Sequence, residues 1–455
     1  MTGLIGAHIR SNWALWSGLL MVAISCGFVG EIALCSFSIS RLTEGDDAVL
    51  LLNSSSMIAT FSVLAGIPVC FAVIGALGSL QRKSFALWRL CGIRSFFVGL
   101  LFSSQVFVVS LAGALMGSII AAVAYPLIHP ALFESFLNVS RLPVEVDPLS
   151  VLPVALATSM VAAVTSVKTA IQVSKVSPLD ALKEREGQPE RLPFYRWLLF
   201  GLPLLVVTAL LMAMACSDLY FRVTVGSFMP LFVVGSLAFV MPCLLRGAFS
   251  LIRRLSSQVK NDCWFLASSA AQFKLRSSSA IESPFSICIG VVCGFFAVQN
   301  VLSLYLGDLG LSGSNTLGIT QVAVMLGPPC LLCASEIAAG MIMLSRSKAR
   351  DIALLRLSGS CNGTMVLSSA LEAVLHVVNA TLVGLFASFI SVFFTALSCG
   401  VALKLTPGCF VPVEGAIVIL LGLFFLVLVA SCPTISLLIK DDPVGAPVSY
   451  THLRA

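Results

Sequence analysis

The sequence predicts an all-α, polytopic membrane protein with about ten transmembrane helices. Of its 455 residues, 58% are hydrophobic and 11% are charged, and the mean hydropathy is +1.02. A soluble chain of this length needs far more charge to cover its surface. Long apolar stretches recur along the chain, and Lys and Arg collect in alternate connections between them.

The apolar stretches are long enough to cross a bilayer as helices. A helix needs roughly 20 apolar residues to span the hydrocarbon, where every backbone polar group must be paired. The stretches of this kind are residues 13–37, 55–79, 97–124, 149–171, 197–216, 225–245, 284–306, 319–344, 364–396 and 413–439. The first is longer than the apolar core of a cleavable signal peptide, so we expect it to remain as a span.

The basic residues predict a multi-pass protein of the cell (cytoplasmic) membrane with both termini in the cytoplasm. With the N-terminus inside, 22 of the 27 Lys and Arg residues fall in cytoplasmic connections. The external ones are Arg41, Arg141, Arg222 and Lys404. This bias follows the positive-inside rule. The net charge of +6 therefore reports topology, and we expect no nucleic-acid partner.

The chain repeats itself at an offset of 267 residues. The segment RKSFALWRLCG from Arg82 recurs as RDIALLRLSG from Arg350, and a Cys-Gly-Phe triplet recurs at Cys26 and Cys293. An even number of predicted spans separates the copies, so both copies point the same way across the membrane. The repeat therefore predicts two parallel four-helix units with a two-helix insert between them.

The repeat also predicts the domain boundaries. Residues 447–455 break from the pattern and resemble an adapter-like tail, so an artefactual origin is one interpretation of them. The predicted domains are residues 1–182 (first repeat, four spans), 183–262 (linker with two extra spans) and 263–446 (second repeat, four spans).

A short basic segment follows the second span of each half. Apolar residues three apart and a terminal glycine predict an amphipathic helix that ends in a left-handed turn. An anchor lying on anionic lipid is one interpretation, but the repeated Ala-Leu-x-Arg-Leu-x-Gly core favours docking on a soluble partner. The docking residues are Phe85, Leu87, Trp88, Arg89 and Gly92 in the first half, and Ile352, Leu354, Leu355, Arg356 and Gly359 in the second.

These motifs resemble the FtsX-like permeases of ABC transporters. The resemblance rests on the two docking segments, on the long span after each, and on the Pro-containing elements at Ser177–Ala181 and Asp442–Ala446. The arrangement of spans is similar to the ten-span permeases of the bacitracin-export type. Those permeases carry a sizeable external domain, whereas the corresponding connection here is only residues 307–318.

The resemblance implies a permease subunit of an ABC transporter whose ATP is hydrolysed by a separate chain. The parallel repeat predicts two ATPase copies per permease chain, because each half supplies one docking helix. A lipid, lipoprotein or peptide-like substrate suits the family, and membrane lipids and a sensor kinase are further candidate partners. The sequence contains no Gly-Lys pair and hence no GxxxxGK[ST] phosphate loop. We therefore expect no enzymatic activity, catalytic residue, cofactor or metal in this chain.

Polar side chains inside the predicted spans are a second set of candidates, because burying a charge in hydrocarbon is costly. A packing role is one interpretation, since Gln105 and Glu372 are equivalent in the repeat. An ion-coupled secondary transporter that uses Glu336 and Glu372 is another, and a non-transporting signalling regulator is a third. The candidates are Glu31, Gln105, Glu336, Glu372, His376 and Asn379, of which the last three share one helical face.

Overall fold

In a computed structural model the protein is almost entirely helical over the residues that the structure describes. These are residues 10, 12–42, 46–129, 148–175, 194–216, 218–238, 240–256, 262–273, 275–310, 319–357, 359–400, 417 and 421. The α-helices are α1 (Trp13–Leu42), α2 (Asp46–Leu80), α3 (Arg82–Leu90), α4 (Ser95–His129), α5 (Val151–Ser174), α6 (Phe194–Cys216), α7 (Leu219–Ala238), α8 (Met241–Leu255), α9 (Asp262–Phe273), α10 (Leu275–Asp308), α11 (Ile319–Leu357) and α12 (Asn362–Cys399). A short 3-10 helix, Pro148–Ser150, precedes α5.

Seven helical segments in the described part of the chain are long and apolar enough to cross a membrane. Each overlaps a predicted span, so the multi-pass membrane class is confirmed. They are Leu15–Arg41, Ser95–Leu127, Val151–Ser174, Phe221–Ala238, Glu282–Asp308, Leu326–Met343 and Asn362–Cys399.

The total of about ten spans stays a prediction. The predicted spans 55–79 and 197–216 fall in α2 and α6, where the described residues include the shorter apolar helical stretches Gly66–Leu80 and Leu204–Met214. The last predicted span, residues 413–439, lies outside the described residues except at positions 417 and 421.

The chain forms two compact units that do not follow its two halves. The first unit contains Met1–Arg185 and Leu309–Ala339, and the second contains Glu186–Asp308 and Gly340–Ala455. The piece from the later half joins the first unit partly through apolar packing, because Leu332 of α11 packs against Val29 of α1. The domain boundaries drawn from the repeat stay a prediction.

In the first unit, α1 and α4 approach closely enough for their backbones to touch. A Cβ placed on Gly117 would collide with the carbonyl oxygen of Ile24. The Ser118 hydroxyl donates a hydrogen bond to the carbonyl of Gly27 at 3.2 Å. Small residues permit this approach, and close packing is a main source of helix association where lipid surrounds the protein.

The second unit contains a similar pair, α10 and α12. A Cβ on Gly384 would lie 2.8 Å from the carbonyl oxygen of Ser286, and the Ser286 hydroxyl donates to the carbonyl of Ala380 at 2.8 Å. Two hydrogen bonds join α1 to α4, between residues that lie 91 and 89 positions apart in the sequence. Two others join α10 to α12, between residues that lie 94 and 97 positions apart. Because this separation stays nearly constant along each pair, the two helices of each pair run in the same direction.

Adding one methyl group at Gly117 tests the close approach. We expect Gly117→Ala to destabilise the first unit by about 1–3 kcal/mol, because the helices must separate to admit the new atom. The matched control is Gly75→Ala in α2, where a Cβ meets nothing within 4 Å. Thermal unfolding in detergent measures both changes, and equal melting temperatures would contradict the backbone contact.

Candidate functional site

Helix α3, the first predicted docking segment, has a buried side and an exposed side. Phe85 is fully buried, and its ring packs edge-on against Phe102 of α4 at a centroid distance of 5.8 Å. Trp88 is half-buried and edge-on to Phe85 at 5.2 Å. Leu87 and Leu90 are 57% and 60% exposed. The leucines therefore form the outward apolar face.

The burial of Phe85 corrects one part of the docking prediction. A ring with no exposed surface cannot enter a cleft on a partner; it holds α3 on the first unit instead. Helical periodicity places apolar residues on two sides of α3 but does not show which side is buried. The contact of Phe85 with Phe102 shows that the side carrying Phe85 is the buried one. Arg89 is half-buried, the predicted docking residue Leu87 is exposed, and the structure adds Leu90 as a second accessible candidate.

A glycine turn ends α3 as predicted. Gly92 has a φ of 88°, in the left-handed region that favours glycine. Its N–H donates to the carbonyl of Arg89 at 3.0 Å, and the Ile93 N–H donates to the carbonyl of Trp88 at 3.2 Å. These two bonds define the Schellman type of helix end.

The second docking segment ends in the same turn. Gly359 has a φ of 86°. Its N–H donates to the carbonyl of Arg356 at 3.1 Å, and the Ser360 N–H donates to the carbonyl of Leu355 at 3.2 Å. Each donor and acceptor lies 267 residues after its counterpart in the first half.

The two docking segments differ in how they begin. Helix α3 is separated from α2 at Gln81, whereas the second segment is the last part of the long helix α11. The expectation of a separate short helix is therefore correct only for the first half. Leu355 and Arg356 are half-buried there, and the side chains of Ile352 and Leu354 lie outside the described set.

A buried polar cluster joins α10 to α12 in the second unit. Oε1 of Glu282 contacts Nδ1 of His376, and Oε2 accepts a hydrogen bond from Nδ2 of Asn379 at 2.7 Å. Nε2 of His376 lies 3.8 Å from Oε1 of Glu372, one turn earlier on α12. All four residues are buried. The structure thus brings two predicted polar residues, His376 and Asn379, to one carboxylate on a different helix, and the third, Glu372, lies beside His376.

Glu282 is the member of this cluster that hydropathy misses. It precedes the predicted span 284–306 by two residues, where a carboxylate normally faces water. The apolar segment in the structure begins at Glu282 itself. One pattern could have identified it: Glu282, Ser286, Gly290 and Gly294 recur every four residues and so form one small, polar stripe on α10.

The other predicted polar residues belong to the first unit. Glu31 is fully buried, accepts a hydrogen bond from Ser150 and has the Cys35 thiol at 3.6 Å. Gln105 is fully buried on α4. Glu336 is buried on α11, and its Oε1 has no hydrogen-bond partner among the described residues. Glu336 and Glu372 thus lie in different units, and their joint use in ion coupling stays a prediction.

The described residues contain no group of three His, Cys, Asp or Glu side chains placed to hold a metal ion. No protein-family model matches the chain, and no curated protein is significantly similar to it. The resemblance to the FtsX-like permeases therefore stays a prediction that rests on the motifs quoted above.

Proposed function

We propose that this chain is the membrane-spanning permease subunit of an ABC transporter, driven by a separate ATPase. The matching helix ends at Gly92 and Gly359 carry the proposal. A helix end of this type is common by itself. Its recurrence, with the same bonds, in a repeated Ala-Leu-x-Arg-Leu-x-Gly segment supports a duplicated docking element within a repeat of two parallel four-helix units.

The contacts of α3 suggest how movement of a partner would reach the membrane helices. In the proposal, the segments that end at Gly92 and Gly359 face the cytoplasm, and Leu87 and Leu90 enter a cleft on one ATPase subunit. Phe85 connects α3 to Phe102 of α4, and α4 packs against α1. Closure of an ATPase dimer would therefore displace α3 and α4 together. The substrate class that suits this mechanism is a lipid, lipoprotein or peptide-like molecule for export or extraction.

A second candidate function, ion-coupled transport, is favoured by the contact of Glu282 with His376 near Glu372. Carboxyl and imidazole groups buried between membrane helices are typical of proton pathways. This function requires no ATPase, so partner binding separates the two candidates.

Co-purification with an ABC-type ATPase tests the proposed function. We expect a tagged form of this chain, co-expressed with a candidate ABC-type ATPase, to purify as one permease chain with two ATPase copies, because each half supplies one docking segment. Native mass spectrometry of the complex gives the stoichiometry. Two permease chains per ATPase dimer, or a permease free of ATPase, would contradict the proposal.

A further inference from the structure

The imidazole of His376 faces a different carboxyl group with each of its nitrogens. Nδ1 contacts Oε1 of Glu282 on α10, and Nε2 points towards Oε1 of Glu372 at 3.8 Å. An imidazole can accept a proton on one nitrogen while it releases a proton from the other. Helix packing alone requires no such two-sided arrangement.

Exposure gives the cluster an inner end and an outer end. The Glu282 side chain is 1% exposed, whereas those of Glu372 and His376 are 9% and 11% exposed. Glu282 is also enclosed by Asn379, which is fully buried. The more exposed pair, Glu372 and His376, is therefore the shorter way in for a proton, and the contact of His376 with Glu282 continues that way inward.

Asn379 is suited to a carboxyl group that changes its protonation state. Its Nδ2 donates to Glu282, as a carboxylate requires, while its Oδ1 has no hydrogen-bond partner within the described part of the chain. Rotation of the amide would present Oδ1 to the O–H of a protonated Glu282. One side chain can thus satisfy both states, because an amide is both donor and acceptor.

The charges in the cluster favour proton binding. Among the described residues, two carboxyl groups, those of Glu282 and Glu372, lie beside the imidazole of His376. Helices α8 and α9 meet the neighbouring part of α12 through an apolar cluster around Leu375, and Arg222 of α7 bonds to Tyr305. Two carboxylates beside a neutral imidazole would bury two negative charges. Since buried negative charge is costly inside a membrane protein, this arrangement favours a state in which one of the two carboxyl groups holds a proton.

We propose that Glu372, His376 and Glu282 form a proton relay in the second unit, with Glu282 as its inner proton-binding site. A proton leaves the carboxylic acid of Glu372 and adds to Nε2 of His376, while the proton on Nδ1 passes to Oε1 of Glu282. One O–H and one N–H bond break, and one N–H and one O–H bond form. Approach of Glu372 by about 1 Å brings it within hydrogen-bond distance of Nε2. The relay is independent of any ATPase partner.

Infrared spectroscopy of the purified chain in lipid nanodiscs tests the relay. The carbonyl band of each protonated carboxyl group is assigned by its loss in Glu282→Gln or Glu372→Gln, and its shift on transfer to heavy water gives the exchange rate. We expect His376→Gln to slow exchange at Glu282 by about a hundredfold, because the amide cannot relay a proton. Exchange at Glu372 should change by less than about twofold.

The matched control for His376→Gln is His129→Gln, which removes a buried histidine of the first unit. It should leave exchange at Glu282 unchanged. Should His376→Gln fail to fold, Glu372→Gln keeps the contact between Glu282 and His376 and should slow exchange at Glu282 by about tenfold. Unaltered exchange in the folded His376→Gln variant, or the absence of a Glu282 carboxyl band between about pH 5 and pH 9, would overturn the relay.

Discussion

Under the proposed function, replacing Leu87 and Leu90 together by lysine is expected to abolish binding of the ATPase partner while leaving membrane insertion intact. Both leucines are more than half exposed on α3, so the folded chain gains little stability from them. Burial of each in a partner's cleft contributes about 2 kcal/mol, and loss of both lowers the affinity by about a thousandfold. Co-purification and titration of the ATPase against the permease in nanodiscs measure the loss.

The lysine substitutions also separate docking from lipid anchoring. A helix that only lies on anionic lipid would keep or strengthen its membrane contact when it gains two positive charges. The matched control replaces Leu251 and Leu255 by lysine on α8, another basic helix with exposed leucines. This control should retain ATPase binding. Wild-type binding by the Leu87/Leu90 variant would reject α3 as the docking element.

Phe85→Ala provides a contrast within the same helix. This change should act through stability, since removal of a fully buried aromatic ring typically costs about 3–5 kcal/mol. Any loss of ATPase binding would then follow the loss of folded protein. The leucine variant should instead retain the melting temperature of the wild type.

Glu282→Ala is expected to destabilise the second unit by about 3 kcal/mol. The change removes the acceptor of both His376 and Asn379, and these side chains remain buried between α10 and α12. The ring of His376 and the amide N–H of Asn379 would be left buried without the carboxylate that they contact, which is costly in this setting. Unfolding of the purified protein in mixed detergent micelles, followed by circular dichroism, measures the change.

Ser286→Ala is the matched control for Glu282→Ala. Ser286 lies one turn further along α10, is fully buried and makes a single hydrogen bond to the carbonyl of Ala380. Its removal should cost no more than about 1 kcal/mol, the usual range for one bond between membrane helices. Similar losses in the two variants would show that the Glu282 cluster contributes no more than an ordinary hydrogen bond.

The docking segments show which structural features the sequence repeat predicts and which it does not. The glycine turn at position 92 was predictable, because a chain that must reverse direction after a helix favours the one residue tolerant of a positive φ. The burial of Phe85 was not predictable from the sequence, because it depends on contact with Phe102 of α4. Helical periodicity within α3 does not specify a contact between two helices. The continuity of α11 through its docking segment is likewise a property of the folded chain.

The polar cluster shows which residues of a site the sequence predicts and which are brought in only by tertiary packing. Glu372, His376 and Asn379 could be placed on one face of α12 because their spacing matches a helical turn. Glu282 lies 94 residues before His376, and only the packing of α10 against α12 joins them. The close approach that brings the carboxylate to the imidazole depends on small residues such as Gly384 at the interface.

The sequence by itself determined the membrane class and the apolar helical stretches, because hydropathy and helical period act through neighbours along the chain. Tertiary structure alone decided that Leu309–Ala339 joins the first unit, that leucines rather than Phe85 face outward on α3, and that Glu282 meets His376. Each of these depends on side chains far apart in sequence, whose contact is selected by shape and by the need to pair buried polar groups.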